Sequence, residues 1–467
     1  MTAEIAILNK SAVALAADSA VTFMVNGEPK VFQTVNKLFA LSKYQPVGLM
    51  VYGSAEFMDV DWETIVKIYR SELGEQAFDT LREHAYHFLK FLHERVDVFD
   101  ESSQTTFVER TIGGAFSSIR ERLLEYVNQK IAESGTLDAS ELRERLREIV
   151  TERRDVLREH EDLKLVDGTT LDSNRIQEIR DEHTSTIGRA KKLVFENLPM
   201  DGGISRKLNE IALYVLTKEG VFSRGSGVVV AGYGRRQIFP SLEEFHVDGV
   251  FSNMLRFRQQ RSSAVGRERT ASVIPFAQSE MVVAFMEGVD PDYQSHINEA
   301  VRATLDRYSS TVLDLLVPRS SKNRERYMRE MSKANEELAQ SFESDMNGYR
   351  RHRFVQPVVR IVEELPKSEL AAMAESLVNL TSFRRHVTPD AETVGGPIDV
   401  AVISRGDGFV WIKRKHYFQP ELNQHFFANY YREVRNGERK AEESRAVSVS
   451  AGGKESVPPG AAEVSER

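Results

Sequence analysis

Two apolar runs, residues 3–8 (AEIAIL) and 12–17 (AVALAA), flank the polar turn Asn9-Lys10-Ser11, and this strand–turn–strand opening constrains the fold more than any other stretch. Further hairpin patterns follow at once. Val21 to Val25 and Lys30 to Thr34 flank Asn26-Gly27-Glu28-Pro29, and Leu38 to Leu41 and Val47 to Tyr52 flank Tyr44-Gln45-Pro46. The period then changes. Ala55, Phe57, Trp62, Ile65, Val66, Ile68 and Tyr69 recur at helical spacing, which predicts a helix from Ser54 to Leu73.

From about residue 76 to 200 the pattern is almost wholly helical and heavily charged. The segment ELRERLREIVTERRDVLREHEDL (141–163) places opposite charges three and four residues apart beside an apolar stripe, the mark of a long solvated helix. Strand patterns return at 227–234 (GVVVAGYG), 237–240 and 245–247, and helical periodicity returns over 279–316, 319–350 and 369–381. IDVAVIS (398–404) and GFVWIKR (408–414) read as a hairpin around Arg405-Gly406-Asp407. Beyond about 436 the chain turns to Ser, Glu, Gly and Pro, a composition that predicts disorder. Strand runs separated by helix runs predict stacked antiparallel sheets with helices outside, an α+β fold.

Composition removes whole classes of chemistry. The 467-residue chain has no cysteine, which excludes disulfides, thiolate metal sites and a cysteine nucleophile. A net charge of −8 gives no nucleic-acid footprint. No apolar run approaches the roughly 18–20 residues of a membrane span, and residues 1–17 carry Glu4 and Lys10 where a secretory leader would be basic and then apolar. A soluble, cytoplasmic protein is expected. His84, His87 and His93 share a helix at spacings of three and six but lack a carboxylate partner pattern, so a packed or solvated face is expected in place of a metal site. Arg384, Arg385 and His386 read as a basic cluster favourable to a helix C-terminus, and Phe426, Phe427, Tyr430 and Tyr431 as a packing or docking helix. No cofactor is expected.

The chemistry-bearing residues stand near the start. Excision of Met1, favoured by the small residue behind it, would give Thr2 a hydroxyl and a free α-amine together. An α-amine with a pKa of about 8 can take the hydroxyl proton near neutral pH. Asp18 and Lys37 are the groups such a site recruits: a carboxylate to order the lysine, and a cation to hold the local proton balance.

Three segments together, TAEIAILNKSAVALAADSAVT, NKLFALS with PVGLMVYGSAEF, and GGPIDVAVISRGDGFVWI, resemble a proteasome β-type subunit of the N-terminal-nucleophile hydrolases. The resemblance implies a four-layer αββα sandwich carrying two long helical insertions. It divides the chain into core over 1–75, insertion over 76–202, core over 203–300, insertion over 301–352, core with a C-terminal helix over 353–435, and a tail over 436–467. It makes Thr2 the nucleophile, Asp18 the residue that orients Lys37, Lys37 the cation that lowers the effective pKa of the hydroxyl, and the Gly53 N–H the oxyanion donor. Lys30 is a rival for the lysine, since KVFQT has the same strand-leading form. Ser279 is the candidate to join the α-amine network, with a plain helix N-cap as the alternative. Asp390 and Thr393 keep the spacing of a further pair in that network, although Val394 intervenes before Gly395-Gly396. Val21, Val51 and Ala55 fall where a specificity pocket with an apolar preference would lie.

The implied activity is threonine-type hydrolysis of peptide bonds in a peptide or unfolded protein. The alternatives are a catalytically inactive structural or regulatory homologue, or an amidase or acyl transferase of the same superfamily. A homo-oligomeric ring is implied, with an ATP-dependent unfoldase or adaptor as a possible partner, and no nucleic acid or membrane.

Overall fold

Strands β1 (Ala3–Asn9) and β2 (Val13–Ala17) pair antiparallel, with Glu4 opposite Ala17 and Leu8 opposite Val13. Asn9 closes the turn between them, its Oδ1 accepting from the N–H groups of Ser11 (3.0 Å) and Ala12 (3.1 Å). The computed structural model describes residues 2–428 apart from 26–27, 96, 221–224, 319–320, 389–393, 417 and 426–427. After β2 come β3 (Val21–Val25), β4 (Glu28–Phe32), β5 (Leu38–Ala40), β6 (Val47–Gly53) and the two-residue β7 (Glu56–Phe57) and β8 (Val60–Asp61). Six helices follow: α1 (Trp62–Leu73), α2 (Leu81–Glu94), α3 (Glu101–Ser134), α4 (Ala139–Arg158), α5 (Ser173–Val194) and α6 (Gly202–Thr217). Then come β9 (Ser226–Gly232), β10 (Ser241–Phe251), β11 (Met254–Ala264) and β12 (Ala271–Ala277). Helices α7 (Glu280–Glu287), α8 (Pro291–Leu316), α9 (Arg324–Arg350), α10 (Gln356–Glu364) and α11 (Lys367–Val387) lead to β13 (Asp399–Ser404) and β14 (Gly408–Lys413).

Ten of these strands form two five-stranded antiparallel sheets, ordered β12-β1-β2-β13-β14 and β11-β10-β9-β6-β5, while β3–β4 and β7–β8 pair as separate hairpins, so the fold is α+β. Every residue of β1, β2 and β9 is buried. That is why these strands read as unbroken apolar runs and not as alternating ones. Alternate side chains of β1 and β2 serve different cores. Ala6, Leu8, Val13 and Leu15 join Met50, Val229 and Ala231 of the second sheet in one apolar cluster. Ile5, Ile7, Ala14 and Ala16 point the other way and pack with Leu370, Ala371 and Ala374 of α11. Small alanines on both partners let the helix approach the sheet closely. On the second sheet, Leu49, Val51, Val228 and Val230 pack under α1 and α2 through Trp62, Ile65, Phe88 and Leu89. Each such aliphatic or aromatic side chain contributes roughly 1.5–3 kcal/mol on burial.

Helix α2 lies in the stretch 76–202 that the sequence assigns to an insertion, yet it belongs to the sheet core, entered through a capping box between Thr80 and Glu83. Helices α3 to α6 instead build a core of their own, which also takes Phe251 and Met254 from the β10–β11 hairpin. The predicted helix from Ser54 begins only at Trp62. Met58 (φ 50°) and Asp59 (φ 64°) turn left-handed and make a tight hairpin of β7 and β8 first. The predicted helix over 279–316 breaks into α7 and α8 at Gly288 (φ 72°), with Asp290 capping α8.

A second unit begins at Lys415, and among its described residues Pro420–Leu422 is a 3₁₀ turn. The aromatic residues Phe426, Phe427, Tyr430 and Tyr431 and the tail over 436–467 lie outside the described residues. Among the described residues no helix is long and apolar enough to cross a membrane.

Candidate active site

The antiparallel pairing of β1 with β2 brings the residue before β1 beside the residue after β2. Asp18 therefore lies opposite Ala3, one residue from Thr2, and the Asp18 N–H donates to the Ala3 carbonyl at 3.1 Å. Lys37 arrives from the other sheet. It immediately precedes β5, where its carbonyl accepts from the Val51 N–H at 2.9 Å. Its side chain bridges the two sheets at their shared end. Thr2 is 2% exposed, Asp18 1% and Lys37 4%, so this is a buried polar cluster, which only complete pairing makes tolerable.

The pairing has a definite polarity. Asp18 Oδ1 accepts from Lys37 Nζ at 2.7 Å and from the Ala3 N–H at 3.2 Å. Its Oδ2 accepts from the N–H groups of Gly395 at 3.0 Å and Ala20 at 3.3 Å. Four donors therefore converge on one carboxylate, two on each oxygen. Lys37 Nζ has three N–H bonds as an ammonium and three acceptors: Asp18, the Ala20 carbonyl at 2.6 Å, and Thr2 Oγ1 at 3.2 Å. The ammonium thus donates to the threonine oxygen. A lone pair of Oγ1 is engaged by a cation, and the hydroxyl proton is left to be given elsewhere.

Lys30 is exposed on the β3–β4 hairpin, its Nζ 5.6 Å from the Phe32 ring centroid, and Lys37 is the lysine brought to Thr2. Gly53 ends β6 at the rim of the same cluster with φ 88°. A Cβ there would meet the Gly225 carbonyl oxygen at 2.8 Å, so the position requires glycine. Gly395 and Gly396 form the turn before β13. Gly396 (φ 78°) is pressed so closely on Gln33 that a Cβ would lie 2.7 Å from its carbonyl oxygen. Ser279 stands at the head of α7, where its side chain makes no capping bond. The group that reaches Thr2 from this corner is the N–H of Gln278, 3.1 Å from the Thr2 carbonyl. Asp390 and Thr393 lie outside the described residues.

A small crevice opens beside Thr2, lined by Val21, Asn36, Lys37, Val51, Gly53, Ser54, Ala55 and Trp62. Trp62 is fixed in it: its Nε1–H donates to Ser226 Oγ at 2.9 Å, and Ser226 Oγ donates to the Ser54 carbonyl at 3.2 Å. Asn36 is held by Glu63 at 2.8 Å. Sequence reasoning reached Val21, Val51 and Ala55 but not Trp62, Gly395 or Gln278. Trp62 looked like one more apolar residue of a helix, and Gln278 is 276 positions from the residue it touches.

The three helical histidines turn to separate partners. His87 Nδ1 meets the Tyr69 hydroxyl at 3.0 Å, His93 Nδ1 accepts from the Leu255 N–H at 3.2 Å, and His84 Nε2 accepts from the Phe78 N–H at 3.4 Å. Among the described residues no group of three or more His, Cys, Asp or Glu is placed to hold a metal ion.

No family model matches the sequence, and no curated protein matches it. Among solved structures the chain is similar to the Anbu (Gly-1) mutant from Hyphomicrobium sp. strain MC1, at 9% identity and a TM-score of 0.26, over 95% of this chain and 97% of that one. It is also similar to Anbu (ancestral beta-subunit) from Yersinia bercovieri, at 9% identity and a TM-score of 0.23, over 98% of this chain and 100% of that one. Likeness at that level carries no argument about activity. Membership of the proteasome β-type family, which the three sequence segments imply, is accordingly corrected: short motif matches are not accompanied by a family match anywhere in the chain.

Proposed function

We propose that this chain is a hydrolase whose nucleophile is Thr2, made N-terminal by loss of Met1, and that it cleaves amide bonds of peptides within an αββα N-terminal-nucleophile arrangement. The observation that carries this reading is the Lys37 ammonium, pinned by a buried carboxylate and donating to Thr2 Oγ1. Burying an ion pair is costly, and hydrophobic residues of the same volume would hold the fold as well. A cation spent on a threonine oxygen supports a catalytic role.

The chemistry runs in two halves. The Thr2 α-amine accepts the hydroxyl proton, while Lys37 stabilises the charge developing on Oγ1. Oγ1 attacks the substrate carbonyl, and the oxyanion is met by the Gly53 N–H at the crevice rim. Collapse breaks the C–N bond, the protonated α-amine of Thr2 returns its proton to the leaving nitrogen, and a threonyl ester remains. Water, deprotonated by the same α-amine, then attacks the ester and releases the acid. With Val21, Val51 and Ala55 as walls and Trp62 as a fixed floor, the crevice favours a short apolar side chain on the acyl side.

The test is turnover by wild type and Thr2→Ala on denatured casein and on fluorogenic peptides carrying alanine, valine or phenylalanine before the reporter. Turnover in the wild type that is absent in Thr2→Ala, strongest for the small side chains, is expected. Equal turnover in Thr2→Ala would overturn the reading.

A further inference from the structure

Beyond the lysine–aspartate pair, a second set of contacts closes on Thr2 from the opposite side. Strand β12 ends at Ala277, opposite Ala3, and there the backbone turns left-handed (φ 58°). An alanine adopts that conformation only under strain, because its Cβ crowds the following carbonyl oxygen. The turn aims the N–H of Gln278 at the Thr2 carbonyl, 3.1 Å away. Gln278 is itself 4% exposed, and its Oε1 accepts from Arg385 Nε at 3.0 Å. Arg385 lies in the last turn of α11, and its guanidinium is also 3.9 Å from Glu280 at the head of α7. Its neighbour Arg384 points elsewhere, to Asp290 and to the sulfur of Met281, both at 2.9 Å. The basic cluster that reads in sequence as a helix-terminus pattern therefore contains one residue with a separate task.

We propose that Arg385 is a positioning residue for Thr2, acting through Gln278; this rests on the reading of Thr2 as the nucleophile. Arg385 holds the Gln278 side chain, that side chain holds the strained turn after Ala277, and the turn holds the Thr2 carbonyl. The need for such a device arises on maturation. While Met1 is present, Thr2 is restrained by a peptide bond on both sides. Once Met1 is gone, the Gln278 N–H and the Lys37 ammonium remain to fix the backbone and the hydroxyl against rotation away from the crevice. A displacement of about 1 Å at a reacting atom can cost a hundredfold in rate.

The experiment measures the maximal rate and half-saturating concentration with which a peptide epoxyketone bearing a valine-derived warhead labels Thr2, in the full-length protein. Arg385→Met is expected to slow maximal labelling about ten- to a hundredfold, with half-saturation unchanged. Arg385→Lys, which keeps one donor, recovers part of the rate. Gln278→Ala reproduces the loss, and combining it with Arg385→Met adds nothing further, because both break the same chain of contacts. Arg384→Met stays at the wild-type rate. If Arg385→Met does not fold, Gln278→Ala against Gln278→Glu, which keeps the acceptor oxygen, decides the matter: the first is slow and the second near wild type. Labelling indifferent to Arg385→Met, or effects of the two single variants that multiply, would overturn the inference while leaving the nucleophile in place. Absence of labelling in the wild type would remove the nucleophile reading and this inference with it.

Discussion

Asp18→Asn keeps the shape of the side chain and removes one oxygen, and the structure makes that a severe change. Four donors converge on the carboxylate, two on each oxygen: Lys37 and Ala3 on Oδ1, Ala20 and Gly395 on Oδ2. Asparagine offers one acceptor oxygen and an amide nitrogen that only donates, so in either flip two donors face a donor. A hydrogen bond to a charged group contributes roughly 1.5–3 kcal/mol, so two stranded bonds cost about 3–6 kcal/mol. Whichever flip is chosen, Lys37 also loses its buried counter-charge. Since these effects share atoms and do not add, about 4 kcal/mol is a fair working figure, a large part of a typical domain's 5–15 kcal/mol. Urea titration followed by tryptophan emission is the assay, because Trp62 lines the same crevice. Asp407→Asn is the control. Its ion pair with Lys367 is about half exposed, with relative accessibilities of 58% and 45%, and its loss should leave the urea midpoint close to that of wild type. Asp18→Asn within 1 kcal/mol of wild type would refute the convergence of four donors on a buried carboxylate.

Lys37→Met should lower turnover by about a hundred- to a thousandfold, the usual loss when one preorganised donor to a developing charge is removed, whereas Lys30→Met, on an exposed hairpin, should leave turnover unchanged; initial rates on the fluorogenic valine peptide check both. Acid should destabilise the fold through His84, whose burial pushes its pKa down from 6.5 to about 4. A folded pKa below the unfolded one gives stability that is complete above pH 6.5 and is lost as pH falls toward 4. The shift corresponds to about 3 kcal/mol. Urea stabilities of wild type and His84→Gln at pH 7 and 4.5 should show a visibly shallower fall in the variant, and parallel falls would contradict this.

Much of the architecture was legible because its central strands are buried on both faces. AEIAIL, AVALAA and GVVVAG are unbroken apolar runs in sequence and fully buried strands in the fold. Strands β11 and β12 were not legible. RQQRS (258–262) in β11 is polar because that part of the edge strand is open to solvent, and Pro275 in β12 is tolerated because that strand is an edge as well. The β7–β8 hairpin was hidden by Met58 and Asp59, which take left-handed backbone without a glycine to announce it. In the site, Thr2, Asp18 and Lys37 could be named because each sits at the end of a recognisable strand. Gln278 and Arg385 could not, since a backbone N–H and a second-hand contact leave no residue-type pattern. Gly395 was visible as a turn, but its donation to Asp18 depends on β13 pairing with β2, which only the folded sheet reveals.

The central claim is that Thr2 carries both nucleophile and base, and intact mass before and after treatment with a peptide epoxyketone tests it most directly. That electrophile closes its stable ring only on a hydroxyl and a free α-amine of one residue. The account predicts a mass lacking Met1, one adduct per chain, and peptide mapping that places the adduct on Thr2. Met1 retained with no adduct would contradict it.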